Sequence, residues 1–234
     1  MSFQILTKRV NIYADLCDLA VKFTERSREL NIIFVADIFG VTDEFKCLCQ
    51  QVTFEVEQKL SITCQLHMIG PYQQQAKSFS SEHDAYQHFM KNVTLIGYVE
   101  KLEKKLSTIS GNKLLVGFSV GGSAIWQLGS ERAIEHSLGA FCFYSSQIRQ
   151  MTKLTPKIPT RLIFPATEAH FSLAELRVAL QDKSGVTIEQ SEYLHGFMNP
   201  LSMNYDQQAY LHFINRLAEL LSEQYAPESQ LKNV

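Results

Sequence analysis

The chain has 234 residues, of which 24 are acidic, 22 are basic and 45% are hydrophobic. This length and hydrophobic share predict one globular domain with a full-sized core, and they exclude disorder as a description of the whole chain. The near-balanced charge provides no excess of Lys and Arg for nucleic acid or for an anionic membrane surface. A small neutral or mixed molecule is therefore the expected partner.

Neither a membrane span nor a secretory signal is predicted. The densest apolar run, Ile32–Ala36, is far shorter than the roughly 20 residues that a membrane-spanning helix needs. At the N-terminus, the basic residues Lys8 and Arg9 follow apolar ones, which reverses the order found in a secretory signal. The five cysteines are scattered, and we interpret them as reduced and mostly buried. These observations predict a cytoplasmic protein.

From residue 31 onward, short β-rich runs alternate with longer helical periods, which indicates βαβ units and a mainly parallel sheet. Strands are predicted at Asn31–Ala36, Ser61–His67, Lys113–Phe118, Gly139–Tyr144, Thr160–Phe164 and Val186–Tyr193. Helices are predicted at Asp43–Lys59, Glu82–Leu106, Gly121–His136, Ser172–Gln181 and Asn204–Glu223. The predicted fold class is α/β, with helices on both faces of the sheet and no large cap domain. Residues 1–30 fit either a helix or an edge strand.

A polar stretch, Gln73–Ser81, follows the second predicted strand and a turn at Ile69–Tyr72. In an open α/β sheet, the loops at the carboxyl ends of the strands form the crevice that binds ligands. The stretch is therefore a candidate for substrate specificity, and a plain solvated connection is the alternative.

The most specific motif is Gly-Phe-Ser-Val-Gly-Gly at residues 117–122, directly after a buried strand and before a helical pattern. This is the context of a nucleophile elbow, in which a serine occupies a sharp, strained turn between strand and helix. Ser119 would project its hydroxyl above the sheet, and the helix N-terminus would present N–H groups to developing negative charge. An ordinary glycine-rich turn is the alternative.

A nucleophilic serine needs a base and an orienting acid, and the expected order puts both later in the chain. His195 is the best candidate for the base because it ends a strand-like run and precedes Gly196 in a loop. The other histidines that we considered for this role fit helices or earlier strands less suited to it: His67, His83, His88, His136 and His212.

Glu168 is the only carboxylate in the turn after the fifth predicted strand, where an orienting acid belongs. Capping of the helix near Ser172 is the alternative role for this side chain, and Asp37 or Asp182 is the alternative acid. His170 is a candidate contact to these residues or to the substrate.

The order of nucleophile, acid and histidine matches that of the α/β-hydrolase fold. Three segments add a resemblance to the dienelactone hydrolase family. Asp-Ile-Phe-Gly-Val at residues 37–41 is similar to that family's acidic-Ile-Phe-Gly-Val segment, the elbow to its Gly-Tyr-Cys-Leu-Gly-Gly, and residues 195–197 to its histidine loop. The resemblance covers residues 31–221 and implies an α/β-hydrolase fold.

The same resemblance implies roles for further residues. Ile38 and Val120 would donate the two N–H groups of an oxyanion hole. Asp37 aligns with an acidic residue that contacts the resting nucleophile, and a solvated loop carboxylate or a helix cap is the alternative. The candidates for lining the site are Asp37, Phe39, Phe118, His170, Phe197 and Asn199.

Three positions depart from the family pattern. Ser119 replaces the usual cysteine, which resembles the serine esterase branch of the family, and Glu168 replaces an aspartate. Asn199 stands where members that bind a substrate carboxylate carry arginine, so the natural partner of an anionic lactone is missing. Dienelactone itself is therefore not the expected substrate.

The predicted function is that of a serine hydrolase, which cleaves small esters or lactones through an acyl-enzyme without a metal or organic cofactor. A catalytically silent ligand-binding or regulatory protein on the same fold is the alternative. Transfer of the acyl group to an acceptor other than water would use the same residues. The sequence predicts no particular oligomeric state.

Overall fold

The computed structural model of the chain describes residues 30–72 and 78–225, so the interpretations of residues 1–29 lie outside it. The strands are β1 (Leu30–Val35), β2 (Cys64–Ile69), β3 (Asn112–Phe118), β4 (Ser137–Phe143), β5 (Thr160–Phe164) and β6 (Val186–Gln190). They form one parallel sheet in the order β2-β1-β3-β4-β5-β6. The predicted α/β class with a parallel sheet is confirmed.

The helices lie between these strands and after the last of them. They are α1 (Asp43–Leu60), α2 (Glu82–Asn92), α3 (Thr94–Leu106), α4 (Val120–Glu131), α5 (Leu173–Leu180) and α6 (Gln207–Tyr225), with a short 3-10 helix at Ser146–Gln150. The single helix predicted over Glu82–Leu106 is wrong, because the chain turns at Val93 and Thr94, where Thr94 has a φ of 63°. Both residues are β-branched and lose side-chain freedom inside a helix.

Two other predicted elements extend too far along the chain. The helix expected to reach His136 ends at Glu131, because Arg132 adopts an extended conformation with φ −135° and ψ 153°. The last strand ends at Gln190 instead of Tyr193. The residues freed from that strand form the start of the loop that carries the predicted base.

Alternate residues of β1 face two separate cores. Leu30, Ile32 and Phe34 pack with α1 and α6 on one face of the sheet. Ile33 and Val35 pack with α3 and α4 on the other face. Because both faces are covered, the central strands are continuous apolar runs. The expected helices on both faces are confirmed.

The position of β3 in the sheet determines where the candidate site lies. β3 pairs with β1 on one side and with β4 on the other, so loops from several strands meet at its carboxyl end. Within residues 30–72 and 78–225, no helix has the length and apolar character needed to cross a membrane.

Candidate active site

The turn between β3 and α4 holds Ser119 in a conformation that few residues adopt. Its φ of 51° and ψ of −115° lie in a strained region, and its N–H donates to the Phe143 carbonyl oxygen over 2.9 Å. Backbone crowding surrounds this turn. A Cβ on Gly121 would lie 2.3 Å from the Val35 carbonyl oxygen, and a Cβ on Gly117 would lie 2.5 Å from the Gly122 Cα. Only glycine fits these approaches, so the motif produces the sharp turn that a nucleophile elbow requires.

The structure brings the three residues Ser119, His195 and Glu168 into one hydrogen-bonded series. The Ser119 Oγ lies 3.1 Å from His195 Nε2, and His195 Nδ1 lies 2.8 Å from Glu168 Oε1. Asn204 Nδ2 donates to the His195 carbonyl oxygen over 2.9 Å and fixes the backbone of the histidine loop. This is the arrangement in which an imidazole can take a proton from a serine hydroxyl while a carboxylate orients the ring.

Glu168 does not cap the helix α5, and Asp182 does not take its place beside His195. The N-terminus of α5 is capped by the Ser172 hydroxyl, which accepts a hydrogen bond from the Glu175 N–H. Asp182 lies exposed after α5. The Glu168 side chain is only 11% exposed and faces His195.

The two residues expected to form an oxyanion hole are found at the cavity that contains Ser119. Ile38 and Val120 line the same cavity as the serine, and neither N–H has an acceptor among residues 30–72 and 78–225. Tyr72 Oη donates to the Ile38 carbonyl oxygen over 2.6 Å, which holds this loop in place. Val120 is the first residue of α4, so the positive end of the helix dipole points to the same position. Both N–H groups are thus unengaged by the described chain, as the donors of an oxyanion hole must be.

Asp37 differs from the role that the resemblance implies. Its buried carboxylate accepts from the Phe39 N–H over 2.9 Å and from Asn199 Nδ2 over 2.6 Å, with no hydrogen bond to Ser119. Burial raises the pKa of the Asp37 carboxyl to about 6, although both hydrogen bonds favour the anion. The side chain thus joins the loop after β1 to the histidine loop, 162 residues further along the chain.

A cavity of about 650 Å³ opens in front of the serine. Of the six residues predicted to line the site, His170 lines this cavity and the other five do not. Asp37 and Asn199 are hydrogen-bonded to each other. Phe118 stacks on Phe143 with ring centroids 5.2 Å apart. Phe39 is buried in one core and Phe197 in the other, and these aromatic side chains anchor the loops of the site to the protein interior.

Most of the cavity wall comes from residues that the motifs do not mark. They are Glu82, His83, Tyr86, Ser146, Gln147, Arg149, Thr167, Ala169, Phe171, Leu194 and Asn204. Residues 146–149 follow the carboxyl end of β4. Loops at the carboxyl ends of strands form the ligand crevice, so the reasoning that made Gln73–Ser81 a candidate applies to these residues as well. Of that predicted specificity loop, residues 73–77 lie outside the described chain and residues 78–81 do not line the cavity.

The described residues contain no candidate metal site. In the described part of the chain, no three His, Cys, Asp or Glu side chains are grouped so that they could hold a metal ion.

Known proteins with a similar fold include several hydrolases. No protein-family profile matches the chain. It is 27% identical over 179 residues to the uncharacterized protein YczH of Bacillus subtilis. The matched region covers 75% of this chain and 84% of YczH. Among solved structures, the dienelactone hydrolase of Anabaena variabilis has a TM-score of 0.55 at 14% identity and covers 83% of this chain and 84% of its own.

Two further structures are similar to the same extent. A dienelactone hydrolase-like promiscuous phosphotriesterase, P91, from metagenomic libraries has a TM-score of 0.54 at 14% identity, over 83% of this chain and 86% of its own. The alpha/beta hydrolase domain-containing protein 10 from mouse has a TM-score of 0.55 at 10% identity, over 82% and 90% respectively. The predicted α/β-hydrolase fold is confirmed, and dienelactone hydrolases are among the structures that share it.

Proposed function

We propose that this chain, which has the α/β-hydrolase fold, is a serine hydrolase of the dienelactone hydrolase family that cleaves small carboxylic esters or lactones. The observation that carries the proposal is the hydrogen-bonded series from Ser119 through His195 to Glu168 at the wall of an open cavity. Its order and spacing suit nucleophilic catalysis, because a serine hydroxyl needs a base within hydrogen-bond reach.

The first half of the reaction forms an acyl-enzyme. His195 takes the hydroxyl proton as the Ser119 Oγ attacks the ester carbonyl carbon, and Glu168 stabilises the imidazolium that results. The carbonyl oxygen becomes an oxyanion that accepts hydrogen bonds from the Ile38 and Val120 N–H groups. Collapse of this intermediate breaks the bond to the alcohol, which leaves with the proton from His195.

The second half releases the acid. His195 takes a proton from water as the water oxygen attacks the acyl carbonyl, and the same two N–H groups hold the second oxyanion. The proton returns to Ser119 when the acyl bond breaks. An acceptor other than water would complete the same sequence as an acyl transfer.

A fluorophosphonate probe tests the nucleophile directly, because an activated serine oxygen attacks its phosphorus and displaces fluoride. We expect the folded wild type to label and Ser119→Ala to remain unlabelled. Hydrolysis of para-nitrophenyl acetate is expected to fall by at least about 10⁴-fold in the same variant. Ser107→Ala removes an exposed hydroxyl at the end of α3 and serves as the matched control.

Two results contradict the proposal. One is a folded wild type that does not label, and the other is equal labelling of the wild type and Ser119→Ala. Saturable ligand binding without turnover, unaffected by Ser119→Ala, would instead support the catalytically silent alternative. The cytoplasmic location and the lack of nucleic-acid and membrane partners stay predictions from the sequence.

A further inference from the structure

One wall of the cavity carries a polar side chain that the acyl-enzyme chemistry does not use. Gln147, in the short helix after β4, is 8% exposed and lines the cavity. Its side-chain amide has no hydrogen-bond partner in the described chain. The amide faces the cavity without a partner in the protein, so both its N–H donors and its oxygen are available to a ligand there.

Arg149 lies two residues further along the same wall. Its Nη1 donates to the Ser146 carbonyl oxygen over 2.8 Å, and its Cζ lies 4.9 Å from the ring centroid of Phe171. These two contacts hold the guanidinium plane in a fixed orientation. No Asp or Glu among the described residues forms an ion pair with it. A guanidinium has five N–H donors, so several remain for a ligand in the cavity.

Both acidic residues of the cavity have partners other than Arg149. Glu168 is engaged with His195. Glu82 belongs to the start of α2, after β2, where its Oε2 lies 3.4 Å from the Ser202 Oγ. Since β2 and β4 lie on opposite sides of β3 in the sheet, the nucleophile separates the wall of Glu82 from that of Arg149. On the Arg149 side, Glu168 is already paired with His195, so the guanidinium is available to a ligand in the cavity.

We propose that Gln147 and Arg149 form a subsite that binds an anionic group of the substrate, a carboxylate or a phosphate. This rests on the proposed function, since it assigns the substrate of the same site. A guanidinium edge binds two oxygens of such a group at once, and the Gln147 amide adds a further donor. The sequence suggests no such partner because Asn199 replaces the expected arginine, yet the structure provides a guanidinium from a different element.

Esters matched in size but different in charge test the subsite. On the acyl side, the para-nitrophenyl monoester of succinate is compared with para-nitrophenyl pentanoate. On the alcohol side, para-acetoxybenzoate is compared with its methyl ester. In at least one pair, Arg149→Gln is expected to lower the ratio of kcat/KM for the anionic ester to that for the neutral ester by about ten- to a hundredfold.

Three further variants identify the cause of that change. Arg149→Lys keeps the charge but loses the planar fork, so we expect an intermediate ratio. Gln147→Met keeps the size of the side chain and removes its donor, so we expect a smaller fall in the same direction. Arg132→Gln removes a cation at the opposite end of the sheet, beside Glu103, and is expected to leave the ratio unchanged.

A binding measurement separates this proposal from the hydrolase proposal. Titration of Ser119→Ala protein with succinate and with phenyl phosphate, by calorimetry, is compared with the same titrations after adding Arg149→Gln. Binding of either probe that weakens at least tenfold supports the subsite even if no ester is hydrolysed. The subsite is overturned if binding of neither probe depends on Arg149 and no ester pair shows a charge preference that depends on it, whether or not the esters are hydrolysed.

Discussion

Backbone crowding holds Ser119 in place, whereas side-chain hydrogen bonds hold His195. At the elbow, a Cβ on Gly121 would come within 2.3 Å of a carbonyl oxygen, so the main chain itself fixes the turn. In the histidine loop, Asn199 donates to Asp37, and Asn204 donates to the backbone of His195. The nucleophile is thus positioned by contacts that cannot relax, and the base by contacts that a single substitution can remove. Activity should therefore be more easily tuned through the base.

The strongest test of this difference removes the hydrogen bond between Glu168 and His195. Glu168→Gln keeps the shape of the side chain but no longer holds the imidazole in the required tautomer, as found when a triad acid becomes an amide. We expect kcat for an ester to fall by about 10³- to 10⁴-fold while the protein stays folded. Glu192→Gln, an exposed change in the histidine loop, is the matched control. A fall of less than tenfold would show that Glu168 does not orient the base.

Crowding at the elbow predicts a loss of stability instead of a selective loss of activity. Gly121→Ala would place a methyl group against the end of β1, and we expect the free energy of unfolding to fall by about 3–5 kcal/mol. Gly97→Ala is the matched control in α3, where the added Cβ meets only the Thr94 hydroxyl at 3.8 Å. There we expect a gain of up to about 1 kcal/mol. Urea unfolding of both variants makes the comparison.

The difference between the local packing of the elbow and the long-range contacts of the histidine loop explains how much of the molecule could be predicted from its sequence. The elbow is readable because its glycines and serine are consecutive, and the parallel sheet is readable from its apolar runs. The order of His195 after Glu168 is also visible. The partnership of Asp37 with Asn199 is not visible, because it joins residues 162 positions apart. The wall formed by Gln147 and Arg149 has no motif and becomes visible only once the strand ends are assembled.

Loss of the Asn199 side chain tests the histidine loop at a smaller scale. Asn199→Ala leaves the buried Asp37 carboxylate without one of its two donors, and it also removes the acceptor of the Leu201 N–H. We expect the free energy of unfolding near neutral pH to fall by about 1.5–3 kcal/mol. Asn215→Ala, on the exposed face of α6, should cost at most about 0.5 kcal/mol. Equal costs, measured by urea unfolding, would contradict a structural role for the Asp37 contact.

The smallest expected effect is the pH dependence that Asp37 contributes. Folding raises its pKa from the ordinary value of 3.8 to about 6, so the folded chain binds this proton more tightly than the unfolded chain. The resulting stability is present below the lower value and is lost as the pH rises through the upper one. Nearby His195 favours the anion and Glu82 opposes it.

Comparison of the wild type with Asp37→Asn isolates this contribution. Between about pH 5 and about pH 8, the wild type should lose on the order of 1 kcal/mol of unfolding free energy relative to the variant, which cannot titrate there. Urea unfolding at the two pH values measures the change. A difference that is independent of pH would mean that Asp37 is ionised throughout this range.

The hydrogen bond from the Ser119 N–H to Phe143 attaches the nucleophile to the last residue of β4. The short helix with Gln147 and Arg149 begins only three residues later, at Ser146. The span from the reacting oxygen to the proposed anion subsite is thus set by the sheet and not by a long loop. We expect a sharp optimum of length in a homologous series of dicarboxylic acid monoesters, where one methylene beyond the optimum costs about 1–3 kcal/mol in transition-state binding.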